Sequence, residues 1–262
     1  MTIDSRSFFP TRQSRRWQFV HPYSVAFLVL LTLWWLVLAF FHAYAWIDLA
    51  IADYFFIPFH CAGDPDAIRV CGHFPMTLEF LLKQVRKVLY YMPSALAAVA
   101  LIILIVRLSR PRPSYDIVYT EKLGAAVASF VIGPYVLVNL LLKTISGRAR
   151  PYETDIFGGD LGFTAAGSFA GNCVNNCSFI SGESAAAGWA ACMVMLLPRR
   201  LRFYLAPPLM AASLFTPALR VSFGGHYLSD AILGWLSSPV IFFAVLAVVE
   251  TTRRRKIIRR MT

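Results

Sequence analysis

Six apolar runs alternate with polar segments along the chain. The first run covers residues 25–46 and contains 22 residues without a charge. Because a helix needs about 20 apolar residues to cross the hydrocarbon core of a bilayer, this run predicts a transmembrane helix. The pattern therefore predicts an all-α, polytopic membrane protein built as a bundle of six transmembrane helices. The other five predicted spans are residues 89–106, 123–142, 181–197, 203–219 and 231–249.

The segment between the first two runs mixes apolar and charged residues. Glu79 and Lys83 are four residues apart among the leucines of residues 76–87, a spacing that places both on one face of a helix. We therefore predict a short loop followed by an amphipathic helix that lies at the membrane interface on the outer side.

Basic residues are concentrated on one side of the predicted bundle, where four segments hold 17 of the 25 Lys and Arg residues. By the positive-inside rule this side faces the cytoplasm. The chain thus divides into a cytoplasmic basic N-terminus, a membrane domain over residues 24–250 and a cytoplasmic basic tail, and its predicted location is the inner (cytoplasmic) membrane. The cytoplasmic segments are residues 1–23, 107–122, 198–202 and 251–262, and the outer, periplasmic ones are residues 48–88, 143–181 and 220–230.

Composition narrows the classes of function. Hydrophobic residues make up 58% of the chain, which is too many for an ordinary soluble domain. A net charge of +11 would suit a nucleic-acid partner, but the cations flank apolar runs and no nucleic-acid motif is present. We interpret the cations as topology signals and contacts to anionic membrane lipids, and expect no nucleic-acid partner. The sequence leaves the oligomeric state open.

Four of the five cysteines fall in the outer segments, where an oxidising compartment permits disulfides. Cys61 with Cys71 and Cys173 with Cys177 are plausible local bridges, although four cysteines allow three pairings and the sequence does not choose among them. A zinc site is the alternative. The nearby histidines do not fall at a recognisable ligand spacing, so no metal and no cofactor is expected.

Residues 220–230 place a cation, an imidazole, a carboxylate and two glycines between two apolar runs. His226 and Asp230 are four residues apart and would share one face of a helix, whereas Arg220 would point elsewhere. The glycine pair between Arg220 and His226 lets the backbone leave helical dihedrals and would fold Arg220 back toward His226. The imidazole would then be a nucleophile that Asp230 orients. The alternative is a polar loop that only joins two membrane helices.

Two further polar clusters, residues 143–151 and 181–183, are predicted at the same outer end of the bundle. Their cations break the positive-inside trend and need another explanation. With residues 220–230 they would assemble three or four cations, the N–H groups of a helix start, one imidazole and two carboxylates. Cations and helix N-termini neutralise phosphate oxygens while an imidazole attacks phosphorus, so this set suits a substrate phosphate. The cations are Lys143, Arg148, Arg150 and Arg220.

The order and spacing of the three clusters follow a known pattern. Its residues here are Lys143, Arg150-Pro151, Ser181-Gly182, Arg220, His226 and Asp230. Over residues 120–235 this pattern resembles the type 2 phosphatidic acid phosphatase superfamily of six-span lipid phosphatases.

The resemblance implies a metal-independent phosphatase or pyrophosphatase that works through a phosphohistidine intermediate. His226 would be the nucleophile and Asp230 the carboxylate that orients it. Ser181 and Gly182 would contribute backbone or hydroxyl contacts. Arg148 would also face the phosphate, or would instead contact a headgroup or solvent. The phosphate oxygens would be bound by Lys143, Arg150 and Arg220.

One position departs from the family pattern. The second motif normally reads Pro-Ser-Gly-His, and its histidine protonates the leaving oxygen, whereas this chain has Glu183 after Ser-Gly. A glutamate donates a proton only if it is protonated, which surrounding cations oppose and partial burial favours. We expect Glu183 to keep the leaving-group role. The alternative is a salt bridge to an arginine, with water protonating the leaving group.

An active site in the outer headgroup layer predicts a lipid phosphate as substrate. Arg-Pro and Phe-Gly-Gly within residues 150–159, the cysteine-containing loop 171–178 and Ser-Gly-Glu are similar to a bacterial branch that includes lipid A phosphatases. Lipid A is therefore the favoured substrate, with undecaprenyl pyrophosphate or a glycerophospholipid phosphate as the alternative. Rival functions are a lipid phosphotransferase that uses the same phosphohistidine and a non-catalytic lipid-binding protein.

Overall fold

The computed structural model describes residues 22–61, 70–111 and 116–261. The predicted basic N-terminus lies almost entirely outside these residues, as does Thr262 at the end of the tail. The described part is mainly helical, with one small sheet. The helices are α1 Pro22–Ala43, α2 Trp46–Tyr54, α3 Phe80–Leu108, α4 Ile117–Ile145, α5 Gly182–Cys192, α6 Arg199–Ser222 and α7 Leu228–Met261, and the strands are β1 Ile57–Phe59 and β2 Cys71–His73.

Four helices, α1, α3, α4 and α7, are long and apolar enough to cross a membrane. The predicted all-α, multi-pass membrane fold is therefore confirmed. The fourth and fifth predicted spans differ from the others. The helix α5 has 11 residues and is extended only by a 3₁₀ turn, Met193–Leu196. The helix α6 carries four arginines and is not among the four long apolar helices, and it also contains three prolines. The arginines are Arg199, Arg200, Arg202 and Arg220.

The predicted amphipathic helix at residues 76–87 is wrong as a separate element. A 3₁₀ turn covers Pro75–Thr77, and α3 then runs through 29 residues without interruption. The charged segment is therefore the beginning of the second span. The physical reason is that no glycine or proline separates Lys87 from Leu89, so nothing ends the helix between its charged and apolar parts.

The helix α7 also extends further than predicted. Residues 251–261 continue the sixth span as helix, where the sequence predicted a separate tail. Glu250 pairs with Arg253 and Arg254, which follow it by three and four residues, and Arg253 lies 3.7 Å from Glu121 of α4. These ion pairs offset part of the repulsion among the tail's cations and favour the helix.

The alanine-rich α5 lies in the centre of the bundle. Trp189 is fully buried, and its indole N–H donates to the carbonyl oxygen of Ala126 in α4 at 2.9 Å. On the side of α7, a Cβ at Gly188 would lie 2.1 Å from the carbonyl oxygen of Trp235. Small side chains thus let α5 approach its neighbours closely, which fixes where its first residues lie.

The segment between α2 and α3 packs against the loop that joins α6 and α7. The strands β1 and β2 pair antiparallel, and a disulfide joins Cys61 to Cys71 at the end of this hairpin. Beneath it, three aromatic rings form a cluster with the fully buried Tyr227. These rings are those of Phe56, Phe74 and Phe157.

A second disulfide joins Cys173 to Cys177. Four cysteines can be connected in three ways, and the structure has the one in which both bridges are local. Cys192 in α5 is a buried free thiol.

Candidate active site

The loop between α6 and α7 returns Arg220 toward His226. The helix α6 ends at Ser222, and Gly224 has a φ of +61°, in the left-handed region that favours glycine. The N–H groups of Gly225 and His226 both donate to the carbonyl oxygen of Arg220, at 3.1 and 3.2 Å. A Cβ at Gly225 would lie 2.6 Å from Nη2 of Arg220, so the guanidinium lies directly over this glycine. The structure thus contains the return predicted from the glycine pair.

The imidazole of His226 is buried, with 2% of the residue exposed. Its Nδ1 lies 2.8 Å from the carbonyl oxygen of Ser178, which accepts a hydrogen bond and so places the proton on Nδ1. Nε2 then carries the lone pair that a nucleophile needs. Burial, followed by the cations Arg220, Arg150 and Lys143, lowers the pKa of His226 well below its usual value, so the ring is neutral at pH 7.

Asp230 reaches His226 through Ser178. The Ser178 hydroxyl donates to Oδ2 of Asp230 at 2.6 Å and lies 3.3 Å from Nδ1 of His226. The other carboxylate oxygen accepts a hydrogen bond from Arg148 at 2.6 Å. An orienting role of Asp230 would therefore pass through a serine that the motif pattern does not reveal.

Arg148 lies behind the site. Its side chain is fully buried, and its guanidinium pairs with Asp48 at 2.8 Å and with Asp230 at 2.6 Å. Its Nε donates to the carbonyl oxygen of Thr164 at 2.8 Å, and its guanidinium lies over the Tyr227 ring. Arg148 is not among the residues that line the cavity beside His226, so the structure favours a supporting role over the predicted contact with the phosphate. This arginine neutralises two buried carboxylates, which occupy the donors that a phosphate would need.

A cavity of about 700 Å³ opens beside His226. Cations converge on it from the end of α4, from the segment that follows α4 and from the end of α6. Of the predicted site residues, those that line the cavity are Lys143, Arg150, Gly182, Glu183, Arg220 and His226.

Ser181 and Gly182 begin α5 in different roles. Ser181 is the N-cap, and its buried hydroxyl accepts a hydrogen bond from the N–H of Ser184 at 3.2 Å. Its own N–H donates to the carbonyl oxygen of Asp230 at 3.0 Å, which joins the polar cluster of residues 181–183 to that of residues 220–230. Gly182 faces the cavity, and a Cβ there would lie 2.5 Å from the side-chain oxygen of Asn139.

The loop closed by the Cys173–Cys177 disulfide holds two of the cations. Nζ of Lys143 donates to the side-chain oxygen of Asn176 at 3.1 Å. Two N–H groups of Arg150 donate to the carbonyl oxygen of Asn176, at 3.1 and 2.8 Å. Asn176 has a φ of +52°, a conformation that asparagine adopts more readily than most residues. The motif pattern does not identify Asn176, and its only signal in the sequence is its place between two cysteines.

Glu183 pairs with two arginines. Arg86 of α3 donates from Nε and Nη2 to the two carboxylate oxygens at 3.2 and 2.5 Å, and Nε of Arg220 lies 3.5 Å from Oε1. This is the salt-bridge alternative considered from the sequence, with Arg86 as a partner that the motifs do not indicate. Because both oxygens face guanidinium N–H groups, the geometry is that of a carboxylate rather than of a proton donor.

The arrangement as a whole can bind and transfer a phosphoryl group. Four basic side chains, those of Arg86, Lys143, Arg150 and Arg220, line a cavity beside the buried imidazole of His226, whose Nδ1 is held by a hydrogen bond. A group of three or more His, Cys, Asp or Glu side chains that could hold a metal ion is not found within residues 22–61, 70–111 and 116–261.

Comparison with known families agrees with this geometry. The profile of the PAP2 superfamily matches residues 122–254. The chain belongs to the PAP2 superfamily. The resemblance seen in the motifs is confirmed, and the protein is a membrane phosphatase of this superfamily.

Three relatives of this PAP2 protein carry the name lipid A 4'-phosphatase. The one from Rhizobium leguminosarum is 43% identical over 229 residues, which cover 87% of this chain and 98% of the relative. The one from Rhizobium etli is 43% identical over 88% of this chain and 90% of the relative. The one from Francisella tularensis subsp. novicida is 29% identical over 45% of this chain and 54% of the relative. No solved structure matches the chain.

The PAP2 region does not contain all the residues that build the site. Lys143, the disulfide loop and His226 lie inside residues 122–254, whereas Arg86 and Asp48 lie before it. Outside the matched region, α2 thus supplies a partner of Arg148, and α3 supplies a partner of Glu183.

Proposed function

We propose that this PAP2 protein hydrolyses the 4'-phosphate ester of lipid A through a phosphohistidine at His226. The observation that carries the proposal is the buried imidazole of His226, whose Nδ1 bonds the carbonyl oxygen of Ser178, beside a cavity lined by Lys143, Arg150 and Arg220. The relatives named lipid A 4'-phosphatase, at 43% identity over most of the chain, support lipid A as the substrate.

In the first step the cations Lys143, Arg150 and Arg220 bind the phosphate oxygens, and Nε2 of His226 attacks phosphorus. A P–N bond forms and the ester P–O bond breaks, so that the sugar oxygen leaves and takes up a proton. The imidazole becomes positively charged in this step. The carbonyl oxygen of Ser178 accepts the hydrogen bond from Nδ1–H and so stabilises that charge. The carboxylate of Asp230, which accepts a hydrogen bond from the Ser178 hydroxyl, adds negative charge nearby.

In the second step water attacks the phosphorus of the phosphohistidine. The P–N bond breaks, Nε2 of His226 regains its lone pair, and inorganic phosphate leaves with the oxygen of the water. The helix start at Gly182 adds partial positive charge to the cavity, which favours the extra negative charge of the transition state in both steps.

Glu183 orders the cations of the cavity in this proposal. Its ion pairs hold Arg86 and Arg220 on one side of the cavity. The leaving oxygen then takes its proton from water. Water thus has the role that the histidine has in the family pattern.

Glu183→Gln tests that assignment. Glutamine keeps a hydrogen-bond acceptor for Arg86 but cannot serve as a carboxylic acid, so we expect kcat to stay within about tenfold of the wild-type value. Phosphate release by the purified variant measures this, with Glu183→Ala as the comparison that removes the acceptor as well. A loss on the order of a hundredfold or more in the Gln variant, at unchanged KM, would restore Glu183 as the general acid.

The proposed topology has six spans: the four long apolar helices together with α5 and α6. Arg199, Arg200 and the basic end of α7 would face the cytoplasm by the positive-inside rule. The active site and both disulfides would then face the periplasm, in the inner membrane. Oxidised cysteine pairs on that side support this orientation.

The substrate is tested by phosphate release in detergent from lipid A, undecaprenyl pyrophosphate, phosphatidic acid and phosphatidylglycerol phosphate. We expect the highest kcat/KM for lipid A, with free phosphate released in the absence of any acceptor lipid and in the presence of a chelator. A higher kcat/KM for another lipid would contradict the substrate assignment, and a requirement for an acceptor lipid would make the protein a phosphotransferase.

A further inference from the structure

A second cavity adjoins the one that contains His226. It has a volume of about 430 Å³ and lies between the first turns of α3 and the loop after α6. Arg86, Arg150 and Arg220 line both cavities, so the two spaces lie next to each other at these three residues. A molecule whose phosphate lies at His226 therefore has room to extend past the arginines into the second space.

The charge of this second cavity is entirely positive. Lys83 and Lys87 line it together with the three shared arginines, and none of its ten lining residues is acidic. Glu183, which pairs with two of the arginines, lines only the first cavity. Because Glu183 offsets part of the charge of Arg86 and Arg220, the cations of this cavity without a carboxylate partner among the described residues are Lys83, Lys87 and Arg150. Such a set attracts anions at the border of a low-dielectric membrane.

The two lysines are available for a ligand. Lys83 and Lys87 lie one helical turn apart on α3 and are exposed, so both ammonium groups can reach the same space. Neither forms an ion pair with a carboxylate of the residues that the structure describes. The first turns of α3 thus carry two cations without an acidic partner beside the cavity that contains His226.

The other walls of this cavity suit a sugar. Thr77, Gln84 and Tyr152 supply hydrogen-bonding groups, and the rings of Tyr152 and Phe223 supply flat apolar surface. Hydroxyl groups and sugar faces bind to such a mixture, whereas the headgroup of a simple phospholipid would leave much of it unused. The surface therefore favours a bulky polar headgroup that carries charge.

The geometry points to a second anion subsite: Lys83 and Lys87 bind another phosphate or carboxylate on the same lipid headgroup whose first phosphate lies at His226. This inference rests on the proposed function, because it takes the reaction to occur on a lipid phosphate in the first cavity. It makes the protein selective for headgroups with two anionic groups.

The test compares two substrates in neutral detergent: lipid A with both phosphates and lipid A with the 4'-phosphate alone. We expect the wild-type kcat/KM to be about tenfold higher for the doubly phosphorylated lipid, mainly through KM, since two exposed ion pairs contribute about one order of magnitude. Lys83→Gln/Lys87→Gln should bring the ratio of the two values close to one. The matched control is Arg199→Gln/Arg200→Gln, two exposed cations at the start of α6, which should keep the wild-type ratio.

Three results would overturn the inference: a wild-type ratio near one, an unchanged ratio in the lysine variant, or a lysine effect that appears only when phosphatidylglycerol is added. The last would mean that the lysines bind the bilayer. Thermal unfolding of both double variants checks that each is folded. If the wild-type protein released phosphate from neither lipid, the proposed function itself would fail. If it released phosphate from both lipids at equal kcat/KM, only the second anion subsite would fail.

Discussion

Replacing His226 by alanine is expected to reduce phosphate release by a factor on the order of 10⁴ or more, because the covalent route through the imidazole is lost. In the proposed mechanism this ring attacks phosphorus in its neutral form, and its hydrogen bond to Ser178 and its lowered pKa support that role. The measurement is the initial rate of phosphate release from lipid A by the purified variant. A brief incubation with ³²P-labelled substrate should also label the wild-type protein with an acid-labile phosphate and leave the variant unlabelled.

His60→Ala is the matched control for this variant, since His60 is exposed at the end of β1 and away from the cavity. It should retain the wild-type rate. Phosphate release by His226→Ala at the wild-type rate would contradict both the enzymatic mechanism and the assignment of the nucleophile. Loss of activity with normal unfolding behaviour would support both.

Arg148→Met is expected to lower the free energy of unfolding by about 3–5 kcal/mol, since it leaves buried carboxylates without their counter-ion. Arg148, Asp48 and Asp230 all have fully buried side chains, and the arginine bonds both carboxylates. Thermal unfolding in detergent measures the loss. Adding Asp48→Asn should restore part of it, because one of the two stranded charges is then removed.

Arg200→Met serves as the control, because this arginine is exposed and its loss should change stability little. The outcome that contradicts the structural role is a variant with wild-type stability and a raised KM. That result would place Arg148 at the phosphate after all, as the motif pattern suggested.

The local parts of the site follow from the sequence, because they depend on short-range backbone geometry. The glycine pair after Phe223 allows the chain to turn, and the N–H groups of Gly225 and His226 donate to the carbonyl oxygen of Arg220. The apolar runs likewise predict the four long apolar helices α1, α3, α4 and α7, since the bilayer requires a minimum length of apolar helix. Both features need only information that lies within a few turns of the chain.

The contacts that complete the site depend on how distant segments pack. Ser178 has no motif around it, yet it contacts both His226 and Asp230, which lie 48 and 52 residues away. Arg86 reaches Glu183 from a helix 97 residues earlier. Such partners follow from the packing of α3 against α5, which no periodicity in either helix specifies.

The errors in helix bounds have a different origin. The charged residues near Lys87 and Arg253 predict ends of the membrane helices, yet both helices continue through them. Charge ends a transmembrane span but does not end a helix, because lysine and arginine are good helix formers. Only a helix-breaking residue or a capping motif would have marked a true end at these places.

The length of α7 has a consequence for where the reaction takes place. Asp230 and Arg253 lie 23 residues apart on this helix, which is about 35 Å at 1.5 Å per residue, while the hydrocarbon core is about 30 Å thick. With Arg253 among the headgroups of one leaflet, an upright α7 would place Asp230 among those of the other. In the proposed topology the helix would thereby set the depth of His226 at the level of lipid phosphates, and a substrate would be dephosphorylated while its acyl chains stay in the bilayer.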